Sequence, residues 1–277
     1  MLIDSHCHLQ DKKFGREIAP IVQRATDAGV TAMVCVGYDM PSSRRAVEIA
    51  DSYDNVYAAI GVHPHDAKDL RPADVDELGK LADSPKVVAI GEIGYDFYRN
   101  LSPRDEQERA FRAQLDLAQS LRLPVVIHAR DADADSFAAL ADYESRARSE
   151  WPKDRPLGVM HCYAGDLSLA LQYIDIGFVI SIAGPVSYPG SDKTRAVAKG
   201  IPLRWLAVET DAPYLPPQDK RGQRNEPAYV AEVAQYIAEL RGDSFAEVCD
   251  ATAVTTATLF GLGDIGAPTA ATAGEAR

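Results

Sequence analysis

The sequence predicts an α/β fold of the (β/α)₈ barrel type, on three observations. Eight short, β-rich apolar runs recur along 277 residues, several of them apolar nearly throughout, as strands buried on both faces are. Longer amphipathic stretches separate the runs, the alternation that builds a parallel sheet. The length suits the ~250 residues that one such barrel uses, and no linker or internal repeat divides the chain. An open doubly wound sheet is the alternative with the same alternation.

The eight runs are Leu2–Ser5, Thr31–Val36, Val56–Val62, Val87–Ile93, Pro124–Ala129, Leu157–His161, Phe178–Ile182 and Trp205–Glu209. The clearest helix between them is Ser102–Leu121. Ser102 is placed to cap it, Pro103 suits its first turn, and Asp105 and Glu106 favour its positive end. Phe111, Leu115, Ala118 and Leu121 then fall at helical spacing. Asp131–Arg148 and Asp166–Ile174 follow the fifth and sixth runs, and Pro227–Leu240 and Ser244–Phe260 close the chain. The charged, proline-bearing segment Ser145–Pro156 reads as a loop insertion. Ala267–Arg277 is mostly Ala, Thr and Gly without periodicity, so residues 1–262 are read as one domain and 263–277 as a flexible tail.

Composition narrows the class. No apolar run approaches the ~20 residues of a membrane span, and MLIDSHCHLQ lacks the basic-then-apolar order of a secretory leader. A cytoplasmic location is therefore expected. The cysteines, Cys7, Cys35, Cys162 and Cys249, form no CxxC and read as reduced thiols. Cys7 and Cys162 adjoin candidate metal ligands, but strand neighbours of an inward ligand face the other way. The formal net charge of -12 argues against a broad basic surface for duplex DNA. It leaves a phosphate substrate open, because two divalent cations would bring four positive charges to the cleft itself.

The six histidines, His6, His8, His63, His65, His128 and His161, all fall within or just past the C-terminal end of a strand-like run. In this architecture that end carries the active site. His6 and His8 form an HxH pair, which a strand's period of two points to one side. Glu92 lies in VVAIGEIGYD between Gly91 and Gly94, where glycines let the backbone come close to a ligand. It is placed to bridge two cations, or otherwise to pair with Arg130. His128 ends PVVIHAR, His161 ends LGVMHCY, and Asp211 follows the eighth run as a ligand or as the base for an attacking water. With Glu92 shared, His6, His8 and Asp211 complete one site and His128 and His161 hold the other. Two divalent ions in that mixed N/O set are expected to be zinc, manganese or iron rather than magnesium.

The ordered motifs DSHCHL (4–9), GVHPH (61–65), GEIGYDFY (91–98), PVVIHAR (124–130), MHCYAGD (160–166), ETDAPYL (209–215) and RNEP (224–227) resemble those of the TatD family of metal-dependent deoxyribonucleases. That family lies within the amidohydrolase-like TIM barrels, and the resemblance runs from Met1 to about Leu262. It implies the barrel and the six ligands already named. It also implies that His63 contacts the scissile phosphate or the leaving group, and that His65, Asp96, Arg130, Tyr163 and Arg224 shape the substrate pocket. EIGYDFY stands where EIGLDYY is commoner, and HCYAGD where HCFSGS is. Ala164 and Asp166 are thus placed to alter substrate preference beside His161.

The implied activity is exonucleolytic cleavage of phosphodiester bonds, single-stranded DNA preferred, with Asp211 and His63 as catalytic residues. Hydrolysis of a small ester, amide or phosphate ester by the same centre is the alternative, and a non-catalytic metal-binding protein is the less favoured one. Barrel relatives that bridge metals with a carboxylated lysine place it after the fourth strand, where this chain has Glu92 and no lysine beyond Lys86. A monomer is expected, with DNA or a small phosphoester as its only partner and no membrane attachment.

Overall fold

In the computed structural model, which describes residues 1–263, strands and helices alternate in the order anticipated. The tail expected at 263–277 therefore lies outside the described residues apart from Gly263. The order runs β1 (Leu2–Cys7), α1 (Ile18–Asp27), β2 (Val30–Val36), α2 (Met40–Ser52), β3 (Val56–Ile60) and α3 (Pro72–Leu81). It continues with β4 (Val87–Asp96), α4 (Arg104–Leu121), β5 (Val125–Arg130), α5 (Asp133–Ala147), β6 (Gly158–Met160) and α6 (Leu167–Asp175). It ends with β7 (Phe178–Ile182), α7 (Asp192–Gly200), β8 (Leu206–Val208), α8 (Val230–Arg241) and α9 (Phe245–Phe260).

The strands pair in sequence order and in parallel. First meets last through a bridge between Cys7 and Ala212, with His8 N donating to Ala212 O at 2.7 Å and Asp211 N to His6 O at 2.9 Å. This closure excludes the open doubly wound sheet. No helix among the described residues is long and apolar enough to cross a membrane.

Inward positions stack in layers, as alternation along each strand requires. The floor is small and apolar: Ile3, Ala32, Val34, Ala59, Val126, Val159, Val179 and Ala207 cluster with Leu259, Phe260 and Leu262 from the end of α9 and the residues after it. One step up lies a polar layer, where Ser181 Oγ donates to Glu209 Oε2 at 2.6 Å and lies 3.1 Å from Ser5 Oγ. The same two-residue step reaches His128 from Val126 and His161 from Val159, while a second step beyond Glu209 reaches Asp211. The opposite faces of the strands pack against the helices in the larger core, with Phe111, Leu115, Tyr143 and Tyr173 fully buried.

Several local expectations are corrected. β4 runs on to Asp96, still paired with Arg130 of β5, so Glu92 lies within the strand instead of after it. Ser102 does not cap α4. Its hydroxyl donates to His65 O at 2.8 Å and accepts from Lys68 N, and so ties the helix entry to the loop that carries His65. Pro103 takes the cap position, where no side chain bonds to the helix. Ser145–Ala147 is the last turn of α5, and the segment after it buries Trp151, whose Nε1 donates to Pro156 O.

Candidate active site

Glu92 stands at the centre of the ring of histidines and is almost wholly buried. Its two oxygens face different partners. Oε2 lies 3.5 Å from His6 Nε2 and 4.0 Å from His8 Nε2. Oε1 lies 2.8 Å from His128 Nδ1, 3.4 Å from His63 Nε2 and 3.5 Å from His161 Nε2. Asp211 Oδ1 completes the first group, 3.3 Å from His8 Nε2 and 3.9 Å from His6 Nε2. Burial pushes the Glu92 carboxyl up, but the imidazoles of His161, His63, His128 and His6 outweigh it and hold the group well below its usual range. Burial likewise pushes Asp211 up, and the bond to His8 with the charges of His161 and His6 brings it below normal.

The donor set fits divalent metal ions. Ligands at ~2.0–2.1 Å around a tetrahedral ion lie roughly 3.3 Å from one another. The separations His6 Nε2–His8 Nε2 of 3.2 Å, His8–Asp211 of 3.3 Å and His6–Glu92 of 3.5 Å match that spacing. Three groups bring one donor atom per residue within 4.8 Å of each other: His6, His8 and Glu92; His6, His161 and Asp211; and His63, Glu92 and His128. His161 thus reaches the first cluster as well as Glu92 Oε1, and its ring stacks on His6 at 3.7 Å.

His8, His128 and His161 each have a partner beside the far ring nitrogen, the arrangement that fixes a metal-binding tautomer. His8 Nδ1 donates to Val36 O at 2.7 Å, which leaves Nε2 for the cluster. His128 Nε2 lies 3.1 Å from Asp96 Oδ2, which leaves Nδ1. His161 Nδ1 lies 2.8 Å from Glu209 Oε1, close but not aligned as a hydrogen bond. Burial pushes His161 down, yet the charges of Glu209 and Glu92 raise it to about 10. His6 Nδ1 is buried and unpartnered among the described residues.

His63 is held differently. Its Nδ1 accepts the backbone N–H of His65 at 3.1 Å, so a neutral ring carries its proton on Nε2, the atom facing Glu92. Burial and the neighbouring His128 push His63 down to about 4, so the ring is neutral near pH 7. An Nε2–H is a donor and offers no lone pair to a metal. This separates His63 from the six proposed ligands and suits it to a phosphate or departing oxygen.

The first and last strands share further bonds. Asp4 accepts from Thr210 N at 2.9 Å and from Thr210 Oγ1 at 2.6 Å, and burial pushes its carboxyl up to about 8. Asn225 Nδ2 donates to Thr210 O at 2.8 Å, which braces the same turn from outside. Asp211 itself has φ 55, a left-handed conformation that Asp tolerates better than most residues.

Above the ring opens a cleft of about 540 Å³ lined by His8, Tyr38, His63, His65, Asp66, Glu92, Arg99, His128, Arg130, His161, Asp211, Tyr214 and Leu215. His65 and Arg130 therefore line the cleft. Asp96 is buried and does not line it; its Oδ2 lies 3.1 Å from His128 Nε2 and 2.9 Å from His65 Nε2. Tyr163 and Arg224 do not line it. The Tyr163 hydroxyl donates to Asp166 O at 2.9 Å, and Asp166 in turn caps α6. Arg224 pairs with Glu17 at 2.6 Å and donates to Lys13 O at 3.0 Å, bracing a rim loop from behind. Cys7 turns away from the cluster and donates to Val34 O.

Sequence reasoning missed Glu209, Tyr38, Arg99, Asp66 and Tyr214. For Glu209 the signal was present, since it lies two residues before Asp211 and so shares its inward face. The others sit on loops whose course no periodicity announces.

The family described as TatD related DNase matches residues 3–261. The metal-dependent hydrolase YabD of Bacillus subtilis is 39% identical over 260 residues, covering 94% of this chain and 99% of that protein. The 3'-5' ssDNA/RNA exonuclease TatD of Klebsiella pneumoniae is 38% identical over 266 residues, covering 94% and 98%. Among solved structures, the TatD homolog YJJV of Escherichia coli K12 superposes with a TM-score of 0.86 at 31% identity, covering 94% of this chain and 98% of that one. A match across nearly the whole length in sequence and in structure places this chain in the TatD family, as a metal-dependent hydrolase with an amidohydrolase-like TIM barrel.

Proposed function

We propose that this enzyme removes nucleotides from an end of single-stranded nucleic acid, DNA foremost, by hydrolysing phosphodiester bonds. The observation that carries the reading is the division of labour at Glu92, whose Oε2 faces His6 and His8 while Oε1 faces His128, His63 and His161. A carboxylate so placed holds two sites side by side. His6, His8, Glu92, His128, His161 and Asp211 would hold two divalent ions there, zinc, manganese or iron before magnesium. Such a pair lowers the pKa of a water and neutralises charge on a phosphoryl oxygen.

The protein's own groups supply the rest. Asp211, kept ionised, accepts the proton of the attacking water. His63 has Nε2–H, which lies 3.4 Å from Glu92 Oε1, to offer the phosphate or the departing oxygen, because Nδ1 is already engaged. Arg130 and Arg99 bring positive charge to the cleft of an acidic protein. The 38% identical relative named as a 3'-5' ssDNA/RNA exonuclease supports the substrate class. All the named groups come from one chain, so a monomer suffices for this chemistry.

The test is a comparison of kcat/KM for single-stranded oligonucleotides, duplexes and small phosphate and carboxylate esters, with bound metal quantified. Turnover of single strands well above every small ester is the expected result. Efficient turnover of a small ester with strands left intact would transfer the reaction to small molecules.

A further inference from the structure

Two exposed tyrosines each carry a cation against the ring, Tyr214 on the cleft wall and Tyr98 just outside it, against Arg130 of the wall. Tyr98 follows β4 and is 62% exposed, with the Arg130 guanidinium 3.9 Å from its ring centroid. Tyr214 follows β8 and is 39% exposed, with Lys13 Nζ 3.9 Å from its centroid. Strand order sets the two pairs across from each other. β4 and β5 lie half a barrel away from β8 and β1, and the ligand cluster lies between them.

Both rings are presented by fixed supports. Tyr98 is two residues past buried Asp96, and Arg130 is two past His128. The Tyr214 hydroxyl donates to Asp11 Oδ2 at 2.6 Å, and its backbone carbonyl accepts from Asn225 Nδ2. Lys13 sits on the loop that Arg224 braces. Among the described residues, Arg130 has no carboxylate partner within salt-bridge distance, whereas Arg24, Arg44, Arg146 and Arg224 all do. An exposed ring under an uncommitted cation gains little for the fold. A ring face and a nearby cation are what a nucleotide offers partners for, through its base and its phosphate.

We infer that Tyr98 with Arg130, and Tyr214 with Lys13, are two nucleotide subsites on opposite sides of the scissile phosphate. Each ring stacks one of the two bases that flank the bond to be cut, and each cation meets a backbone phosphate. Bases paired in a duplex stack on each other and present only edges, so both rings are filled by a single strand. The inference rests on the nuclease reading and assigns the residues that grip the strand.

Removal of one ring and one base in combination tests it, using the full-length, metal-loaded enzyme. Single-stranded oligonucleotides are prepared intact, with an abasic site at the terminal position, or with one at the penultimate position. Tyr98→Ala should lower kcat/KM on the intact strand about tenfold. It should lower it no further on the strand that lacks the base it stacks. Tyr214→Ala should show the same coupling to the other position, and Tyr98→Phe, which keeps the ring, should lose far less than Tyr98→Ala. Equal losses with and without each base, or a loss in Tyr98→Phe as large as in Tyr98→Ala, overturn the subsites while the nuclease reading stands. Coupling at only one position overturns the two-sided arrangement. A wild type that cuts no strand overturns the nuclease reading, and the subsites with it.

Discussion

The chemistry rests on a few atoms whose protons and lone pairs are fixed by neighbours. Asp211 makes the strongest case, because its left-handed backbone is tolerated by Asn as well as by Asp. Asp211→Asn should therefore fold with an unchanged far-ultraviolet spectrum and lose turnover by about 10²–10⁴-fold, the usual contribution of a general base. A kcat within a factor of a few of wild type would remove Asp211 from the proton transfer. Glu209 is buried outside the cleft lining, yet it lies against His161 Nδ1 and receives the Ser181 hydroxyl. Glu209→Gln should weaken metal binding about 10–100-fold, as the loss of such a supporting carboxylate does elsewhere. Competition against a chromogenic chelator reads this directly, and unchanged affinity would reduce Glu209 to a packing role. At this scale the sequence was informative wherever side-chain parity along a strand could be counted, as for His6 with His8. It was silent on tautomers, because Val36 O and His65 N, which set them for His8 and His63, are backbone groups of other elements.

The elements place those atoms by close approach of backbones. Gly94 has φ 139, and a Cβ there would run into His128 O on the neighbouring strand. Gly94→Ala should thus cost about 1–3 kcal/mol through backbone strain, displace β5, and lower metal affinity together with stability. Urea unfolding with a chelator titration separates the two, and a variant as stable as wild type would show that the β4–β5 contact yields easily. The extents of the strands were readable from apolar runs to within a few residues. What was not readable was where pairing continues past the apolar stretch. β4 extends through Gly94, Tyr95 and Asp96 because β5 matches it residue for residue to Arg130. Ser102 illustrates the converse, a residue with good capping chemistry diverted to the His65 loop by a tertiary contact.

The whole molecule is acidic, with a formal net charge of -12, and its cationic contacts to substrate are few and local. For single strands the logarithm of the binding constant falls with that of salt by about 0.7 per phosphate neutralised. With Arg130, Lys13 and Arg99 as the contacts, a slope of about -2 is expected. A slope near -7, measured by titration from low to moderate salt, would mean that a far larger surface holds the strand. Metal also belongs to this scale, since a ligand bound only by the folded state adds about 2.7 kcal/mol of stability at a hundred times its Kd. Chelation should accordingly lower Tm, and re-addition of zinc or manganese should restore it. The barrel itself was predictable from the count and order of runs. The pairing of Tyr98 with Arg130 and of Tyr214 with Lys13 was not, since each joins side chains from two different elements.

That closure also sets a clock. His6 and Asp211 are neighbours across the join at Cys7 and Ala212, yet 205 residues (211 - 6) separate them along the chain. At roughly 5–20 residues per second of synthesis, about 10–40 s pass between the making of the first donor and the last. A nascent chain shorter than that holds histidines but no complete cluster. With the proposed ligand set, the site is therefore complete only once the final strand arrives.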